Sequence, residues 1–89
     1  MSNEKMESDI LLIIMEETSL KVDQISGDAT IRSLGIDSLI LAEVITSVEE
    51  KYGAKIDMHQ IMDNYLNDIS LKELTDAIVQ ALKDEDGNN

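Results

Sequence analysis

A serine at the mouth of a helix is the residue of this chain best placed for chemistry. In Leu34-Gly35-Ile36-Asp37-Ser38-Leu39-Ile40-Leu41 a long polar connection gives way to an amphipathic pattern, with Gly35 supplying the bend and Ser38 falling in the first helical turn. A hydroxyl there faces backbone N–H groups that lack intrahelical acceptors and lies at the positive end of the macrodipole. A phosphate attached to Ser38 would therefore be stabilised. Asp and Ser are also ordinary helix caps, and on Asp37 and Ser38 alone the cap is the simpler reading.

Nothing else assembles into catalytic machinery. No second group pairs with Ser38 in sequence as a base, and His59, the only histidine, lies off the apolar stripe of its helix with no second metal ligand at a suitable spacing. A calcium loop starting at Asp23 fails, because it places Ile25, Gly27 and Leu34 where oxygen ligands are needed. With no cysteine in the chain, any thiol chemistry needs an imported thiol. The many carboxylates read as a solvated surface, so the chain is expected to be neither an enzyme nor a metal protein.

Eighty-nine residues with 43% hydrophobic content suit one small domain. Tyr52 and Tyr65 are the only aromatics, so the core must be aliphatic. A net charge of −12 repels nucleic acid and anionic membranes and attracts basic protein surfaces. The apolar run Ile10 to Met15 is too short to span a membrane or serve as a signal core, which points to a cytoplasmic protein without membrane insertion; a monomer is expected.

The elements that must position Ser38 follow from periodicity. From Asn3 to Thr18, Met6, Ile10, Ile13 and Ile14 fit one helix face; Ile10 to Met15 also admits a buried strand, but the flanks and the length of the pattern favour a helix. Ser19 to Asp37 is a long connection with a turn at Ser26-Gly27-Asp28, expected to lie across the helices with Ile25, Ile31 and Leu34 tucked in and a helical turn over 30–34. Ser38 to Tyr52 forms the second helix, closed by Gly53. Its wheel puts Leu41, Val44, Ile45, Val48 and Tyr52 on one face, and Leu39 opposite them beside Glu43, Thr46 and Glu50.

Asp57 and Gln60 make a variant capping box for a short third helix with Met58, Ile61, Met62, Tyr65 and Leu66 at helical spacing. Met58 and Met62 fill the core in the simplest reading, though flexible thioethers also suit variable cargo. Ser70-Leu71-Lys72-Glu73 caps the last helix, whose face is Leu71, Leu74, Ala77, Ile78, Ala81 and Leu82. The reading is all-α: a four-helix bundle of three principal helices and a short third one, with a domain over residues 1–83 and a flexible acidic tail over 84–89.

The stretch Leu34-Gly35-Ile36-Asp37-Ser38-Leu39 resembles the modification site of acyl carrier proteins, Leu-Gly-x-Asp-Ser-Leu. The likeness extends over most of the chain: the isoleucine-rich first helix, Asp28-Ala29-Thr30-Ile31 in the long loop, the short third helix, and Ser70-Leu71 before the last. It implies an acyl-carrier-like bundle with 4′-phosphopantetheine attached to Ser38 by a phosphopantetheinyl transferase that draws on coenzyme A. Asp37 and Leu39 match the serine's neighbours in the motif. Glu43 and Glu50 match acidic positions that meet basic surfaces of acyl-loading, condensing and acyl-transfer enzymes, and Thr46 shares their face. The second helix has fewer acids than is typical of fatty-acid synthesis carriers, and Tyr65 to Leu71 looks more like the carriers of polyketide and nonribosomal peptide assembly. Gly35-Ile36-Asp37 lacks the double glycine common in peptidyl carriers, so the resemblance implies a discrete carrier of a specialised pathway. A small acidic adaptor without covalent cargo would explain charge and size, but leaves the motif as accident.

Overall fold

Apolar side chains at helical spacing, with capping residues before the last three, produce four helices: α1 (Asn3–Thr18), α2 (Ser38–Tyr52), α3 (Met58–Leu66) and α4 (Leu71–Gly87). The computed structural model describes residues 3–19 and 29–87, and side chains over 4–19, 29–63 and 67–84. The architecture is the all-α bundle read from the sequence, with a short α3 and a long connection between α1 and α2. The Ile25 packing, the Ser26-Gly27-Asp28 turn, the Asp23 loop, and the side chains of Tyr65 and Leu66 lie outside the described residues.

In α1 the ambiguous run resolves by burial. Ile10 and Ile14 are fully buried and Ile13 nearly so, while Leu12, which a strand would place with them, is 56% exposed. α1 packs on α2 and α4, and α3 on α4 and α2, around one aliphatic core. Leu41, Val44, Ile45 and Val48 of α2 enter it, with Tyr52 half-buried at the rim, as the wheel requires. Met58 and Met62 are half-buried and pack against the core. Thr75 and Val79 of α4 are also buried, a wider face than the apolar pattern marks; Thr75 is accommodated because its hydroxyl donates to Leu71 O at 2.9 Å.

α4 continues as helix through Gly87, past Lys83 where the apolar pattern stops and a frayed tail was expected to begin. An established helix adds a backbone hydrogen bond for each further residue without needing tertiary contacts, and Gln80 Nε2 donates to Asp84 Oδ1 at 2.9 Å across the junction.

The helix ends are chemically specified. Ser70 and Glu73 form the reciprocal box: Glu73 N donates to Ser70 Oγ at 3.1 Å and Ser70 N to Glu73 Oε1 at 3.2 Å. Asp57 caps α3 by accepting from His59 N at 2.9 Å, one residue earlier than the box geometry would have it. Gly53 ends α2 at φ +62°, a left-handed conformation suited to glycine. The α2–α3 connection is then drawn in by Glu49, whose Oε2 accepts from the amide of the buried Ile56 at 2.8 Å.

α1 and α2 are antiparallel, tied at Asp9–Tyr52 (phenol to Oδ2, 2.6 Å) and Glu17–Ser47 (hydroxyl to Oε1, 3.1 Å). Burial, and then the bond to Asp9, pushes the Tyr52 phenol up to about 12, while that same bond holds the Asp9 carboxyl below its ordinary value. Because the folded value of Tyr52 is raised, its contribution to stability is full below the ordinary phenol range and is lost as pH rises through about 12. Alkaline titration by tyrosinate absorbance should show a phenol ionising near 12. Asp9→Asn should lower that value without restoring the ordinary one, since burial, the larger cause, remains. Ordinary ionisation of both tyrosines in the folded protein would refute the contact.

Candidate functional site

Ser38 is positioned by the turn before it. The amides of Leu34, Gly35 and Ile36 donate to Thr30 O, Arg32 O and Ile31 O at 3.1, 3.0 and 2.9 Å, winding 30–36 into a compact turn with Ile31 and Ile36 buried beneath it and Leu34 half-buried. Gly35 closes the turn at φ +78°, where a side chain would be strained. The expected helical turn and the burial of Ile31 and Leu34 are observed.

The cap falls to Asp37 and not to Ser38. Asp37 is extended (φ −94°, ψ −178°), its Oδ1 accepts from Ile40 N at 2.9 Å, and its carbonyl accepts from Leu41 N at 2.9 Å. Ser38 is thus the first helical residue, exposed, and its hydroxyl has no hydrogen-bond partner among the described residues. The nearby Ser33 differs: its hydroxyl is committed to Thr30 O at 2.7 Å. The first amides of α2 point out of the helix end beside Ser38 without intrahelical acceptors, which is the setting a phosphate ester on that oxygen requires.

Leu39 is 68% exposed, and with Leu12 it is one of two large apolar side chains so exposed among the described residues. Glu43, Thr46 and Glu50 are exposed along the same side of α2, opposite Leu41, Val44, Ile45 and Val48. The Thr46 hydroxyl is already donated to Ala42 O at 3.0 Å, so it can still accept from a partner. A shallow depression beside Glu43, Thr46 and Glu50 is completed by Glu17 of α1, so the acidic surface continues across the helix pair. His59 is exposed on α3, and no cluster able to hold a metal ion occurs among the described residues. No helix among them is long and apolar enough to cross a membrane.

Sequence reasoning missed two contributors to the site. Ile36, a lone apolar residue between Gly35 and Asp37, is 1% exposed and roots the turn. The α3–α4 connection pairs with the long loop through an antiparallel bridge at Thr30 and Ser70. Leu71 N donates to Ala29 O at 2.9 Å and Ile31 N to Ile69 O at 3.0 Å. Backbone pairing of this kind has no side-chain signature to find.

A model of the family described as "Phosphopantetheine attachment site" matches residues 8–78. Nodulation protein F of Rhizobium leguminosarum bv. viciae is 38% identical over 63 residues, 71% of this chain and 67% of that protein. An acyl carrier protein of Cyanophora paradoxa is 37% identical over 71 residues, 79% of this chain and 65% of that one. Methylphloroacetophenone synthase of Cladonia uncialis is 32% identical over 68 residues, 76% of this chain but 2% of the synthase. No solved structure matches significantly. An exposed hydroxyl at a helix end, without a hydrogen-bond partner among the described residues, fits the attachment for which the matched family is described, and the chain belongs to that phosphopantetheine-attachment family as an acyl carrier protein, a carrier with no catalysis of its own.

Proposed function

We propose that Ser38 is the attachment point of 4′-phosphopantetheine, and that the chain serves a specialised acyl pathway of polyketide type as a discrete carrier. The observation that carries the assignment is the division of labour at α2: Asp37 caps the helix, leaving the Ser38 oxygen exposed, unbonded among the described residues and beside open amides. A transferase would deprotonate the hydroxyl. The oxygen then bonds to the phosphorus proximal to pantetheine in coenzyme A, the pyrophosphate P–O bond breaks, and adenosine 3′,5′-bisphosphate leaves. The arm supplies a thiol that the cysteine-free chain lacks, for carrying acyl groups as thioesters.

The relatives named for nodulation and for methylphloroacetophenone synthesis support a specialised pathway, as do the few acids on α2. Fatty-acid synthesis is the second reading, and the relative named simply as an acyl carrier protein is compatible with either. Incubating the apo protein with coenzyme A, magnesium and a broad-specificity phosphopantetheinyl transferase should add one arm. Peptide mapping should place it on Ser38, and an arm on another serine would overturn the assignment.

Partner enzymes acting on the tethered group must approach Ser38, and the exposed side of α2 begins there. Leu39, Glu43, Thr46 and Glu50, with Asp37 at the rim, form the proposed docking face for the transferase and for basic surfaces of acyl-loading, condensing and acyl-transfer enzymes. Reversing Glu43 and Glu50 to Lys together should slow loading at low ionic strength by roughly tenfold, because exposed charges steer encounter. The melting temperature should barely move, since such charges contribute little to stability. Loading kinetics over a salt series are the measurement, and wild-type rates at low salt would place docking elsewhere.

A further inference from the structure

The turn that delivers Ser38 is held from outside by the connection between α3 and α4. Asp68 reaches across 36 residues of sequence, its Oδ1 accepting the amide of Arg32 at 3.1 Å. Its own backbone is left-handed at φ +51°, a conformation costly for most residues with a side chain and best tolerated by Asn and Asp. The bridge beside it, Ile31 N to Ile69 O and Leu71 N to Ala29 O, fixes the two connections side by side.

The peptide unit joining Ile31 to Arg32 is therefore clamped at both ends. Its N–H is taken by Asp68, and its carbonyl, Ile31 O, accepts the amide of the buried Ile36 at 2.9 Å. A charged acceptor on the N–H also polarises the carbonyl, strengthening the second bond. Ile36 precedes Asp37, which caps α2 and leads into Ser38. We propose that Asp68 is a positioning residue for Ser38, acting through that peptide unit and Ile36; the inference rests on Ser38 being the attachment point. Without the carboxylate the peptide plane is free to rock, and the Ser38 hydroxyl spreads over orientations of which few suit in-line attack.

Three substitutions separate positioning from mere structure. Asp68→Asn keeps a side-chain oxygen and tolerates the left-handed backbone, whereas Asp68→Gly relieves that backbone but removes the acceptor. Asp68→Ala removes the acceptor and keeps the strain. Steady-state loading with coenzyme A, magnesium and a broad-specificity phosphopantetheinyl transferase should show kcat lowered about fivefold in the Gly and Ala variants, with KM for the carrier unchanged because the α2 surface is intact. The Asn variant should load within about twofold of wild type. A Gly variant with wild-type kcat, or an Asn variant as slow as Gly, overturns the proposal.

Amide hydrogen exchange on the apo proteins reads the same coupling without any loading step. In the Gly variant, Ile36 and Ile40 should exchange about tenfold faster while Val44 and Val48 keep their protection. Uniform acceleration would mean general destabilisation and overturn the positioning role. If wild type accepts no arm on Ser38 while Ile36 and Ile40 respond as stated, the attachment reading falls and the hold of Asp68 on the Ser38 turn stands.

Discussion

Ser38→Ala is expected to take no arm at all and yet to melt with the wild type. The hydroxyl is the acceptor in the proposed transfer, and no neighbour can replace it: Ser33 has its oxygen committed to Thr30, and Asp37 is engaged with Ile40. Stability should hold because the cap belongs to Asp37, so removing an exposed hydroxyl at the first helical position, unbonded among the described residues, should change stability by no more than about 0.5 kcal/mol. Intact mass after exhaustive incubation with coenzyme A and a transferase, with circular dichroism melts alongside, decides the matter. An arm on the alanine variant would remove Ser38 from its role. A loss of several degrees in melting temperature would show that the serine, not the aspartate, holds the helix end.

Ile45→Asp is expected to abolish the cooperative fold. Ile45 is 1% exposed between Leu41, Val44 and Val48 on the inner side of α2. The substitution leaves a cavity costing about 3 kcal/mol and seats a carboxylate among aliphatic side chains with no partner, which adds several more. A domain of this size has roughly 5–15 kcal/mol in total. Leu39→Asp, six residues earlier on the exposed side, should stay folded and serves as the control. Helical circular dichroism and a near-native melting temperature for Ile45→Asp would mean that the inner side of α2 has been drawn wrongly.

What could be read in the sequence was whatever a helical period or a local cap encodes. The limits of α1 and of α2, the inward row from Leu41 to Val48, the isolation of Leu39 and the Ser70–Glu73 box all depend on residues within a few positions of one another, and all stand. What escaped depends on partners far apart or on groups every residue shares. The bridge between Thr30 and Ser70 is made by main-chain amides and carbonyls. Asp68 looks like any loop aspartate until its Oδ1 is found on Arg32 N. Ile36 gives no period because it stands alone between a glycine and a cap. The extension of α4 to Gly87 escaped for a different reason: the residues after Lys83 carry no apolar pattern, and the helix continues by propagation. For the site, the motif around Ser38 was legible, but which of Asp37 and Ser38 supplies the cap was not, because both residue types do so.

Glu49 bears on how a partner measures this protein. Three glutamates stand in the second half of the α2 sequence and just before it, and counting charges from the sequence would make them one acidic smear. Glu49, however, is folded back onto the amide of Ile56 at 2.8 Å and is half-buried, so it is withdrawn from the outer surface. What remains is Glu43 and Glu50, one heptad apart and therefore separated along the helix axis by about 10 Å. On the proposed docking face these two carboxylates would act as a ruler with two marks: two cations set at that pitch would fix an enzyme's register on α2, because a shift by one helical turn leaves both pairs unmatched and a shift by two turns leaves one charge unmatched on each side.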